Sequence, residues 1–141
     1  MTRLTDYGIM LLTYFARDSA RLMRNARDLA IQARLPRPTV SKILKALAHK
    51  GLLEARRGAR GGFALAKSPE EITVAEIVGA LEGPLGITDC SIHSGNCTLE
   101  PVCIVRSNWR RINSVVIDAL QRITLAEMAH PWRPVELRRT V

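Results

Sequence analysis

No stretch of this chain offers the ~18 consecutive apolar residues that a membrane-spanning helix needs, so no membrane partner is expected. The opening segment MTRLTDYGIMLLTYFARD has an apolar run, but no small-residue cleavage site accompanies it and Asp6 precedes it. It reads as a first helix, not an export signal, and the expected compartment is the cytoplasm. Cysteine is scarce: three residues, an odd number, which argues against a disulfide framework and suits a compartment that keeps thiols reduced. A GxxxxGK[ST] phosphate loop is missing, as are paired carboxylates, and His49 and His130 have no nucleophile near them in sequence; an enzyme is not expected. Lys and Arg are absent from residues 68–100, which carry six acids.

The cations collect elsewhere. Net charge is +8, and residues 17–60 hold twelve Lys/Arg against Asp18, Asp28 and Glu54. A basic N-terminal half points to a polyanionic partner. Residues 5–15 form a helix that is apolar nearly all round (Ile9, Leu11, Leu12, Tyr14, Phe15), so another element must cover it. In NARDLAIQARL, Asn25 is placed to cap a helix, Asp28 sits in its first turn, and Ala26, Leu29, Ala30 and Ala33 share a face. LPRP then breaks the chain. In PTVSKILKALAHKG, Val40, Ile43, Leu44 and Leu47 recur at helical spacing, Gly51 ends the helix, and Thr39, Ser41, Lys42 and Lys45 point outward. Two short helices joined by a tight turn, the second polar and basic at its exposed start, describe a helix-turn-helix. LLEARRGARGGFALA follows as strand, glycine-rich tip, strand, with Arg56, Arg57 and Arg60 around the tip. A hairpin directly after a recognition helix is a wing, and its arginines suit a narrow minor groove. The expected partner is double-stranded DNA, met by Arg27, Thr39, Ser41, Lys42, Lys45, Arg57 and Arg60.

The acidic half opens with a capping box, Thr73 to Glu76, ahead of a stripe of Val74, Ile77, Val78 and Leu81 that Gly83 and Pro84 end. Residues 101–123 read as one long helix on which Trp109, Ile112, Val116, Ala119, Leu120 and Ile123 follow helical spacing, with a second box at Thr124 and Glu127. A winged helix does not need so long a helix for its own core. The stripe therefore suggests a homodimer interface; the alternative is packing onto the first helix of the same chain.

Between these helices lies CSIHSGNCTLEPVC, residues 90–103, with every cysteine of the chain. The spacing Cys90-x6-Cys97-x5-Cys103 lacks the close pairs of a structural zinc site. Three soft thiolates suit a metal or an iron–sulfur cluster that takes a fourth ligand from elsewhere. His93 lies inside the loop, Asp89 and Glu100 flank it, and Asp6 could arrive from a partner subunit. A non-thiolate fourth ligand is easier to displace and suits a sensor. Three isolated thiols, or a redox thiol switch, are the other readings.

The motifs RLTDYG, TVSKILKALAHKGLLEARRGARGGFALA and SPEEITVAEIVGALEG, with the three spaced cysteines, make the chain resemble the Rrf-two family of IscR/NsrR-type winged-helix iron–sulfur regulators over roughly residues 3–130. TYFARD, TVSKILK and NWRRIN are most similar to the branch that regulates SUF iron–sulfur assembly. The resemblance implies a homodimeric repressor or activator of cluster-assembly genes and cluster ligation by Cys90, Cys97 and Cys103. In IscR a histidine stands three residues after the last cysteine; here that position is Arg106, so this ligand does not carry over. Some NsrR-type members use an acidic residue from the other subunit, and Asp6 falls at that place, ahead of His93 as fourth-ligand candidate. The first cysteine gap is one residue longer than in IscR; the expected cofactor is an iron–sulfur cluster, [2Fe–2S] ahead of [4Fe–4S]. The expected fold is mostly α with a small β-wing. Residues 1–83 would form a winged helix-turn-helix and 84–103 a cluster-binding loop, followed by a dimerisation helix with a short cap helix over 104–130 and a tail from 131 to 141. A near-palindromic operator is the expected DNA target, and a cluster-free thiol or small-molecule sensor on the same scaffold is the rival.

Overall fold

The computed structural model describes residues 1–18 and 22–132, so nearly all of the expected tail lies outside the described residues. Among the described residues the chain runs through α1 (Arg3–Arg17), α2 (Ala26–Ala33), α3 (Arg37–His49), β1 (Leu53–Arg56), β2 (Gly62–Leu65), α4 (Val74–Glu82), α5 (Asp89–Ile92), α6 (Arg106–Arg122) and α7 (Leu125–Met128). Short 3-10 turns cover Pro69–Glu71 and Glu100–Val102. The fold is mostly helical with a two-stranded antiparallel wing. No helix of the described residues is long and apolar enough to cross a membrane.

α1 is longer at both ends than its apolar pattern, because Thr2 rather than a later residue caps it, accepting the Thr5 amide at 3.3 Å. Its buried face (Gly8, Ile9, Leu11, Leu12, Phe15) packs on α3, α4, α7 and β2 of the same chain. Each such leucine or phenylalanine, taken fully from water, contributes about 1.5–3 kcal/mol.

α2 begins where Asn25 accepts the Asp28 amide at 2.8 Å. It ends at Arg34, whose backbone adopts the left-handed conformation (φ 56°) and donates to Ala30 and Ile31. α3 starts among Pro36 and Pro38, where missing amide protons cost nothing. Val40, Ile43, Leu44 and Leu47 are buried as their spacing requires.

In the wing, Leu53 pairs with Leu65 and Arg56 with Gly62. A bridge on the other edge of β2 was not visible in the sequence: Arg24 donates to the Phe63 carbonyl at 2.8 Å and accepts from its amide at 2.7 Å. This pairing explains Gly62, which sits at φ 144° with room for no Cβ, since one would lie 2.5 Å from the Arg24 carbonyl oxygen. The glycine serves strand approach as well as the turn.

α4 and α7 each start on a complete capping box, at Thr73–Glu76 and Thr124–Glu127. The two starts are joined backbone to backbone: Val74 donates to Ile123 at 2.9 Å and Leu125 to Ile72 at 2.8 Å. The end of α6 is thereby fastened to the beginning of α4. The long helix is shorter than expected. Residues 100–102 form a 3-10 turn, Cys103 is extended, and α6 begins only at Arg106. The contacts of Glu100 with Gly95, Ser94 and Arg106 hold the turn apart from the helix, and no side chain caps α6 at its start.

α6 leans on α4 and α5, and Asn113 is its only buried residue. Trp109, Ile112, Val115, Val116 and Ile123 remain 38–62% exposed. Leu120 of the stripe packs against the core, and the face of α1 is covered mainly by α3, α4 and α7.

The start of α1 and the end of α4 share one carboxylate. Glu82 Oε1 accepts from Thr5 Oγ1 at 2.7 Å and from the Thr2 amide at 2.6 Å. The Thr5 hydroxyl first, then the Thr2 amide, hold the Glu82 carboxyl below its ordinary value of 4.5, outweighing the effect of desolvation. A depressed folded value means that this contribution is present above the ordinary carboxylate range and is lost as pH falls through the folded value. Glu82→Gln should therefore lower Tm at pH 7 by about 2–4 °C, the scale of one partly exposed charge-assisted bond. The gap from the unsubstituted chain should close as scans are taken down to pH 3, and a gap independent of pH would assign the loss to packing. Gly62→Ala should cost about 2 kcal/mol in urea denaturation, because it forces both a strained φ and a clash with the Arg24 strand.

Candidate nucleic-acid interface and thiol loop

The basic residues singled out by the sequence occupy the helix-turn-helix and wing. Arg27 is exposed on α2, Lys42 and Lys45 are exposed on α3, and Thr39 and Ser41 are half-buried in the first turns of α3. Arg57 and Arg60 are exposed at the hairpin tip, joined there by Arg56. Arg37, also exposed at the start of α3, adds a further cation to those expected from the sequence. Arg24 differs from these. It is tied inward, ion-paired with Asp18 and bonded through Nη1 to Gln32 Oε1 at 2.9 Å, so it braces the sheet edge and the start of the helix-turn-helix.

The thiols lie on the segment joining α4 to α6. Cys90 is half-buried on α5, 3.2 Å from the Thr88 hydroxyl. Cys97 and Cys103, also free and half-buried, stand either side of the Glu100–Val102 turn. His93 is exposed just past α5, and Asp6 is exposed in the first turn of α1. Among the described residues, no three His, Cys, Asp or Glu side chains come together in a group that could hold a metal ion. The donor set itself fits an iron–sulfur cluster chemically: three free thiols, within reach of solvent, on one short arc.

Two residues tie this segment down, and of these Asn113 carries no role in the sequence pattern. Asn113, buried on α6, accepts the Ile87 amide through Oδ1 at 3.0 Å. A polar residue beside Ile112 in an otherwise apolar stripe was the available signal. Glu100, read from sequence as a possible flanking ligand, has both oxygens engaged. Oε2 accepts the Gly95 amide at 2.6 Å, and Oε1 accepts the Ser94 hydroxyl at 3.2 Å and pairs with Arg106. Arg110 stands 3.8 Å from the same oxygen. The Gly95 bond foremost, with Ser94 and the two arginines, holds the Glu100 carboxyl below the usual range despite its burial. Arg106, at the position where IscR has a ligand histidine, is thus a partner of Glu100.

The chain is similar to known proteins over nearly its whole length. The family model Rrf2, described as an iron-dependent transcriptional regulator, matches residues 1–131. The chain is 30% identical over 129 residues to the HTH-type transcriptional regulator NsrR of Halalkalibacterium halodurans, covering 91% of this chain and 88% of that protein. Two solved structures share the fold. CymR, the global cysteine regulator of B. subtilis, matches with a TM-score of 0.73 at 24% identity, covering 92% of this chain and 95% of that one. T. potens IscR matches with a TM-score of 0.67 at 24% identity, covering 95% and 93%. The winged-helix scaffold, the exposed basic face and the family match over nearly the whole chain lead to one conclusion: this chain belongs to the Rrf2 family of transcriptional regulators, not of enzymes.

Proposed function

We propose that this chain is a homodimeric DNA-binding regulator whose grip on a near-palindromic operator depends on an iron–sulfur cluster held by Cys90, Cys97 and Cys103, and that it controls cluster-assembly genes of the SUF type. Regulators of this family bind DNA and typically form dimers. The observation that carries the reading is the placement of three free, half-buried thiols on the one segment that feeds α6. When bound, the cluster supplies a labile inorganic cross-link among these sulfurs. Asp6 of the partner subunit, then His93, is the candidate for the fourth position. An oxygen or imidazole donor leaves more readily than a thiolate, which suits a sensor better than a permanent structural anchor. [2Fe–2S] stands ahead of [4Fe–4S].

In this reading residues 1–83 bind DNA, 84–103 hold the cluster, and 104–130 pair the subunits. The exposed α6 stripe is the surface such pairing would cover. Two copies of α3 would enter successive major grooves, with Thr39, Ser41, Lys42 and Lys45 toward bases and phosphates and Arg27 toward the backbone. Arg57 and Arg60 would enter the adjacent minor groove or grip its phosphates.

A second reading has an observation in its favour. The thiols are partly accessible and, among the described residues, ungrouped, as suits cluster-free thiol sensing. The same scaffold in B. subtilis serves a regulator of cysteine.

Anaerobic purification of the full chain with iron and sulfide counting separates the two. The cluster reading expects visible absorption bands with matched iron and sulfide, lost in Cys97→Ser. Protein that stays colourless through reconstitution, while oxidant changes its DNA affinity, overturns it. On the DNA side, replacing Arg57 and Arg60 together by alanine should weaken binding and reduce the slope of log K against log salt by about 2 per protomer, near 0.9 for each phosphate charge neutralised. An unchanged slope in anisotropy titrations would remove the wing from the interface.

A further inference from the structure

The segment between Cys97 and Cys103 inverts the usual sorting of side chains. Leu99 and Val102 are 65% and 75% exposed, as is Ile104 just past Cys103 at 92%, while Glu100 among them is only 7% exposed. An acid is buried where its apolar neighbours are not, so hydrophobic burial does not hold this turn in place. Its polar contacts do. Oε2 of Glu100 reaches back to the Gly95 amide, and Oε1 to the Ser94 hydroxyl. Gly95 adopts φ 91°, a conformation that other residues resist, in the turn that presents its amide. Forward along the chain, the same carboxylate pairs with Arg106 and faces Arg110 in the first turns of α6.

One side chain thereby joins three points: the residues before Cys97, the turn between Cys97 and Cys103, and the start of α6. Both thiols lie between anchored points. Cys90 lies outside this arc, on α5, with its own Thr88 contact.

We infer that Glu100 is a positioning residue for the thiol loop, fixing Cys97 and Cys103, but not Cys90, relative to α6. It acts as an anchor and not as a ligand, since both of its oxygens are already engaged within the chain. The inference deepens the proposed function and rests on it for its role in sensing, because a loop with two thiols fixed to α6 can pass a change at the sulfurs to that helix. Arg106 completes the anchor, so the residue that replaces the IscR ligand histidine serves the loop by pairing with Glu100.

The test follows each cysteine separately. The full chain, reduced and kept anaerobic, is alkylated with N-ethylmaleimide, and the modification rate at each cysteine is read by mass spectrometry. Glu100→Ala should speed alkylation of Cys97 and Cys103 by about tenfold, as local opening becomes easier, and leave Cys90 unchanged. Glu100→Gln keeps the side chain's size and an acceptor but loses the charge, and should give a smaller acceleration with the same selectivity. Should the alanine variant fail to fold, the glutamine variant decides alone. Equal acceleration of all three thiols, or none, overturns the inference. In cluster-loaded protein, both variants should also lose their visible absorbance faster than the unsubstituted chain. If the unsubstituted chain takes up no cluster, the proposed function fails while the alkylation pattern still judges Glu100. If it takes up cluster and the alkylation pattern is flat, Glu100 loses its role and the proposed function stands.

Discussion

The buried carboxamide of Asn113 is the constraint around which the second half of the molecule is arranged. It is the only buried residue of α6, and it accepts the Ile87 amide just where the chain enters the thiol loop. A hydrogen bond of this kind contributes modestly when made, about 1 kcal/mol, yet leaving a buried polar group unmatched costs more. The helix therefore cannot slide along the body without orphaning that group. Two further attachments complete the seating: the Glu100 anchor at the start of α6, and the backbone pairing of Ile123 and Leu125 with Val74 and Ile72 at its end. All three are polar; Leu120 adds an apolar contact with the core, while Trp109, Ile112, Val115 and Val116 are left to meet another surface.

In the proposed function this arrangement supplies a physical route from sulfur to DNA. The loop is fastened to α6, α6 is fastened to the start of α4, and α4 packs directly on α3. α3 carries the exposed lysines, and the wing that follows it is braced by Arg24. A bound group can move such a chain of contacts only by as much as its affinity differs between two arrangements. In the proposed function, the element with two arrangements is α6 with its loop, and its polar attachments are discrete contacts that are either made or broken.

Much of this was legible in the sequence where the signal was local. The stripe Val40, Ile43, Leu44 and Leu47, the Asn25 cap and the boxes at Thr73 and Thr124 depend on neighbours three or four residues away, and each formed as expected. Contacts between distant residues were not legible. Nothing near Arg24 announces that its backbone will pair with Phe63, and Gly62, which permits this, reads in the sequence as a turn residue alone. The apolar spacing carries a helix back to Pro101, but the inward pull on Glu100 places a 3-10 turn there. The donor chemistry of the three cysteines could be read from their type and spacing. Their arrangement could not, because the loop that carries them is positioned by a carboxylate whose partners lie both before and after it.

The central claim is that the state of the thiol loop sets the affinity for DNA. The most direct measurement is an oxygen-free anisotropy titration of the full chain against a duplex selected by the protein itself, made with the same preparation before and after cluster reconstitution. The account predicts dissociation constants that differ by about tenfold or more, equivalent to at least about 1.4 kcal/mol of coupling. Identical constants in the two states, with iron and sulfide shown to be bound in one of them, would contradict it.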